Sequence, residues 1–252
     1  MRTKTLSLVN LFREERFYVL FGLFALVGLS WVWLFFWEMP PAGAVGGEIF
    51  SLPNYLAKFL MWVIMMVAMM MPSALPMILF YSGAVKKTKT DGGNLAPLPV
   101  FILGYFVIWT VFSAWAAFLQ IFFQVMGVVN SALEGSEPLI LGGFLILAGL
   151  YQVSPLKKTC LKFCQHPVMF ISKHWQPGTS GGFKMGLVHG SYCVGCCWGL
   201  MMLLFVGGVM NLLWVAALAI FVLLEKILPL PRRWPQFSGL LLIASGLFLA
   251  IR

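Results

Sequence analysis

Between Leu98 and Met126 the chain carries no charged residue. A helix of that length on a soluble protein must turn one polar face to water, so an uncharged run this long belongs in hydrocarbon. About 20 apolar residues suffice to cross a bilayer core of roughly 30 Å. Comparable runs lie at 17–37, 55–82, 138–153, 183–206, 209–228 and 236–251, in a chain that is 61% hydrophobic and only 10% charged. Membrane barrel strands would be about 10 residues of alternating polarity, a pattern these runs lack. The expectation is an all-α, polytopic transmembrane helical bundle of about seven spans. It comprises a basic amino-terminal segment, 1–16, and a single transmembrane domain, 17–252. The runs at 138–153 and 236–251 are short, and whether they cross fully is left open.

Charge supplies the orientation. All of the 17 Lys and Arg residues except Lys58 and Arg252 fall on one side of this parse: before the first span, and in or at the edges of the second-to-third, fourth-to-fifth and sixth-to-seventh connections, with Lys184 and Lys226 at the adjoining span ends. Basic residues accumulate in cytoplasmic loops, which places the amino terminus in the cytoplasm and the carboxyl terminus outside. Glu38, Glu48, Glu134 and Glu137 then fall on the outer side. The basic stretch from Arg2 to Arg16 runs into 17–37 without a small-residue cleavage site, so that run reads as a retained span in a bacterial inner membrane. The net charge of +9 is accounted for by these loops and calls for no nucleic acid.

The fifth run holds the most distinctive chemistry. His189, Cys193, Cys196 and Cys197 are spaced by four and then three or four residues, which aligns an imidazole and thiols on one helical face. Thiolate and imidazole together suit copper(I), or less well zinc or iron. Cysteine is also a small apolar residue common in buried helices, and that simpler explanation stands beside the metal one. Glycines at 182, 186 and 190, and again at 195 and 199, let neighbouring helices approach closely on two faces. The turn Gly207-Gly208-Val209-Met210-Asn211 should fold the next span back as an antiparallel hairpin, bringing Glu225 level with Cys193 as a fourth ligand, a proton acceptor or one half of an interfacial pair with Lys226.

Two other segments could contribute. The second run contains Met61, Met65, Met66, Met69, Met70 and Met71, of which Met69 and Met70 lie at the depth of Cys193. Thioether sulfur is a soft ligand, although methionine is equally an ordinary core filler. Pro72 and Pro76 should kink or break this helix. In the polar stretch 154–182, Cys160, Cys164 and His166 form a candidate second metal site or entry relay, against the plainer reading of a solvated helix beside the membrane. No phosphate-binding loop, nucleophile elbow or His-Glu-x-x-His helix occurs, so no catalytic activity of its own is expected.

The blocks 61–77, 148–161 and 189–201, with Gly208-Val209-Met210-Asn211 and Glu225-Lys226, resemble a bacterial family of unknown function described as predicted metal-binding integral membrane proteins. The resemblance covers about residues 60 to 229 and implies metal binding in a membrane-embedded bundle. The resulting expectation is copper handling or delivery through a Cys/His/Met site. The alternatives are a structural or assembly subunit of a larger membrane metalloenzyme complex, and a small-molecule transporter. The expected surroundings are lipid bilayer, with other membrane subunits or further copies of the chain as partners.

Overall fold

A computed structural model describes residues 2–36, 51–90, 97–128, 138–228 and 233–251. Every regular element among them is helical: α1 (Arg2–Phe36), α2 (Leu52–Thr90), α3 (Leu98–Val125), α4 (Pro138–Val153), α5 (Pro155–Gln165), α6 (Pro167–His174), α7 (Gly178–Met201), α8 (Leu204–Gly207), α9 (Leu212–Ile227) and α10 (Trp234–Ile251). Among the described residues four segments are long and apolar enough to cross a membrane: Leu52–Val85, Leu98–Val125, Gly178–Gly207 and Trp234–Ile251. A fifth is added if α4 and α5, bent by 64° at Ser154, form one broken span. Large apolar side chains, among them Phe21, Leu29, Val111, Leu147, Leu213 and Phe248, face outward. Glu38, Glu48, Glu134 and Glu137 lie outside the described residues.

Local signals set the helix ends. The Ser154 hydroxyl accepts from the Lys157 amide at 3.2 Å, and Pro155 sits in the first turn of α5, where its missing N–H costs nothing. Asn211 caps α9 in the same way through the Trp214 amide. Gly208 has φ +89°, a conformation that other residues resist, and it turns the chain between α8 and α9.

Glycine decides which helices touch. A Cβ on Gly190 would sit 2.9 Å from Ile108 Cβ, and one on Gly186 would collide with the Phe101 carbonyl, so α3 lies directly on α7. On the other face of α7, Gly195 and Gly199 make room for Cys160 and Tyr151. The two shortest apolar runs solve their problem together. Gly142 and Gly149 of α4 face the backbone of Gly246 and Gly239 of α10 so closely that an added Cβ would fall 2.5 and 2.6 Å from their carbonyl oxygens. Such close backbone approach is how helices associate in an apolar medium that offers no hydrophobic drive between them.

Three expectations need correction. α2 is one helix through Pro72 and Pro76, not a broken one. Close to the prolines, the Met70 carbonyl accepts from Ser73 Oγ at 2.9 Å and from the Tyr105 hydroxyl at 3.2 Å, which ties this turn of α2 to α3. The hairpin is also looser than expected, because α9 packs chiefly against α2 and only lightly against α7. The stretch 154–182 is solvated on one face only: residues such as Lys158, Lys162, Val168 and Lys173 are exposed, while α5 packs along α7, burying Lys157, Leu161 and Phe163, and Pro167 and Phe170 of α6 are buried too.

Candidate metal centre

The thiols of α7 meet beneath α5. Cys193, Cys196 and Cys197 are each about 1% exposed. Cys196 Sγ lies 3.2 Å from Cys197 Sγ, donates to the Cys193 carbonyl at 3.1 Å, and is 3.8 Å from Cys164 Sγ of α5. All five cysteines are free thiols. The close approach of α5 that brings Cys164 here depends on Gly195, whose missing side chain leaves space that Cys160 Sγ would otherwise contest at 2.8 Å. Tyr151 ties the same turn to α4 by donating its hydroxyl to the Gly195 carbonyl.

A lysine completes the cluster. Lys226 of α9 is only 6% exposed; its ammonium donates to Cys193 Sγ at 2.9 Å and to Ser73 Oγ at 3.1 Å. The Tyr105 hydroxyl of α3 sits 3.2 Å from the same sulfur. Cys193 is thus met by a cation from a further helix, a contact that favours negative charge on sulfur. Sequence reasoning assigned Lys226 to a cytoplasmic loop or a snorkelling interfacial pair, and the fold turns it inward instead. The one available signal was its position next to a carboxylate at the end of an otherwise apolar helix.

His189 lies one turn before Cys193, buried to 3%. Its ring stacks on Phe101 and Tyr105 at centroid distances of 5.9 and 5.7 Å and meets Phe170 edge-on at 5.2 Å. Its Nδ1 has no hydrogen-bond partner. A buried imidazole nitrogen left unpaired is a costly feature unless something binds it.

Glu225 goes elsewhere. Its carboxylate pairs with Lys157 Nζ at 2.7 Å and accepts from Gln152 Nε2 at 2.8 Å; Gln152 also donates to Ser238 Oγ at 3.0 Å and accepts from Lys157 at 2.6 Å. This buried network joins α4, α5, α9 and α10, and occupies both carboxylate oxygens away from the sulfurs. Lys157, counted from the sequence as a loop residue, is fully buried. Met70 approaches the cluster through its carbonyl, which Tyr105 bridges to Cys193. Met69 instead lines an apolar recess of about 300 Å³ with Trp31, Pro72 and Ala216, between α1, α2 and α9. Cys160 is half-buried against α7, and His166 is exposed at the junction of α5 and α6, so the proposed trio divides: Cys164 alone joins the α7 thiols.

Among the described residues no three His, Cys, Asp or Glu side chains already surround a single point as a metal cage. The cluster is a packed set of soft donors. Comparison with known proteins gives a result in keeping with those donors. A family model described as "PpoB2: Copper chaperone" matches residues 59–249, which takes in every helix from α2 to α9 that contributes to the cluster. No curated protein and no solved structure matches the chain.

Proposed function

The chain belongs to the PpoB2 family of copper chaperones, and from that premise we propose that it holds copper(I) as cargo inside a membrane-embedded helical bundle and passes it on. The donors in this reading are Cys193, Cys196, Cys197 and Cys164, with His189 at the edge of the set and Met70 nearby. Copper(I) is the soft ion that thiolates select, and burial shields the complex from oxidation and competing ligands. The observation that carries the reading is the meeting of three thiols from α5 and α7, Cys164, Cys196 and Cys197, in the buried centre, with sulfur–sulfur separations of 3.2 and 3.8 Å and Cys193 one helical turn away.

Membrane integration in a bacterial inner membrane is part of the proposal. It is supported by four helices of spanning length and by the outward-facing Phe and Leu side chains, which would be an aggregation hazard in water. Partners in delivery would be other membrane subunits or a copper-requiring enzyme.

The test is copper content. Protein purified under reducing conditions and loaded anaerobically with copper(I) should retain it stoichiometrically. Cys193→Ser and His189→Ala should each lower retention while the helical signal stays intact. Trp198→Phe should leave retention unchanged, because Trp198 packs on Tyr151 at 4.7 Å and offers no ligand atom to the cluster. Folded wild-type protein that holds no copper, zinc or iron after loading would overturn the proposal and leave a structural subunit as the better reading.

A further inference from the structure

The buried centre contains a charge that copper binding alone does not explain. Lys226 is enclosed by α2, α7 and α9, and among the described residues its hydrogen-bond acceptors are Ser73 Oγ and Cys193 Sγ alone. Glu225 is the only carboxylate among the side chains described, and Lys157 and Gln152 occupy both of its oxygens. An ammonium in an apolar interior needs a counter-charge nearby. The thiols are the groups at hand that can supply it.

We propose that Lys226 is the charge-compensating residue of the site, fixing it for a monovalent ion held by two thiolates, Cys193 and one neighbour, while the other thiols of the cluster stay protonated. This rests on the copper reading above. The count is simple. Two thiols release two protons and become two thiolates; copper(I) contributes one positive charge and the Lys226 ammonium another, so the loaded centre is neutral. A divalent ion such as zinc in the same two-thiolate site leaves a net charge of +1. Without the lysine the preference reverses: copper(I) leaves −1 and the divalent ion leaves zero. In a medium that penalises net charge, one lysine therefore discriminates between ions of different valence. Its place beside Cys193, 2.9 Å from the sulfur, makes it a positioning residue as well, since it fixes which thiol carries the charge.

The experiment uses the full chain, reduced and solubilised in detergent, with copper(I) alone and zinc(II) alone as probes, each titrated against a chromogenic competitor. Lys226→Gln should weaken copper(I) binding on the order of 100-fold, the scale for stripping the partner from a buried charge, while zinc(II) binding stays level or tightens. Lys226→Arg, which keeps the charge, should stay close to wild type for both ions. Ser73→Asp keeps the lysine and offers it a carboxylate in place of the Ser73 hydroxyl, so it should shift preference in the same direction as Lys226→Gln. It also serves as the test if the glutamine variant does not fold. If Lys226→Gln weakens both ions in parallel with a lowered melting temperature, or if Ser73→Asp leaves the copper-to-zinc preference unchanged, the lysine is structural and the proposal is wrong. A wild-type protein that binds no copper(I) fails the copper reading itself; one that binds copper(I) equally well with and without Lys226 fails only this inference.

Discussion

Replacing Glu225 by Gln separates a ligand from a staple. The Glu225 carboxylate lies 2.7 Å from Lys157 Nζ, with side-chain exposures of 4% and 0%, and its second oxygen accepts from Gln152 at 2.8 Å. The glutamine keeps the shape but leaves the Lys157 ammonium buried without its counter-charge, a one-sided loss that costs about 3–5 kcal/mol. At roughly 2–4 °C per kcal/mol for a chain of this size, the apparent melting temperature should fall on the order of 10 °C. The assay is thermal unfolding in detergent at one fixed scan rate, since unfolding of such proteins is often irreversible. Copper(I) stoichiometry, measured well below the transition, should not change. The double variant Lys157→Met with Glu225→Met should recover much of the loss, because an apolar pair replaces both charges at once. An unaltered melting temperature in Glu225→Gln would refute the claim that this pair is buried and holds α5 to α9. Loss of copper from a folded Glu225→Gln protein would refute its exclusion from the ligand set.

Other consequences are equally open to measurement. Gly186→Leu should force α3 from α7, since even a Cβ there collides with the Phe101 carbonyl; the variant should lose folded yield, whereas Gly143→Ala, which meets nothing within 4 Å, should not. Copper(I) affinity should weaken as the medium is taken from about pH 8 to about pH 6, because thiol and imidazole ligands must lose protons to bind and added protons compete with the ion; a Kd that is flat over that range would argue against thiolate ligation. Reporter fusions should place 86–90, 157–176 and 230–235 on the cytoplasmic side and 40–50 and 130–136 outside, and an external 157–176 would overturn the orientation drawn from the basic residues.

The helical class and the position of α7 were legible in the sequence because apolar length and residue spacing are local properties. The shared face of His189, Cys193, Cys196 and Cys197 follows from helix periodicity alone. Contacts set by tertiary packing were less visible. Cys164 looked like part of a separate polar segment, since nothing local reveals that Gly195 opens the face of α7 on which α5 rests. Lys157 and Lys226 looked like loop charges because long cationic side chains near helix ends ordinarily reach water; here Glu225 and Cys193 hold them inside. The same difficulty affected Glu225, whose depth relative to Cys193 was inferred from chain reflection while its direction was not. The pairing of α4 with α10 depends on matching glycines far apart in the chain, which no single run displays.

Copper K-edge X-ray absorption on the reduced, copper(I)-loaded protein tests the central claim most directly, because it identifies the atoms bound to the ion in the intact chain. The account predicts a first shell dominated by sulfur, diminished or lost in Cys193→Ser. A shell of nitrogen and oxygen alone, unaffected by that substitution, would contradict it.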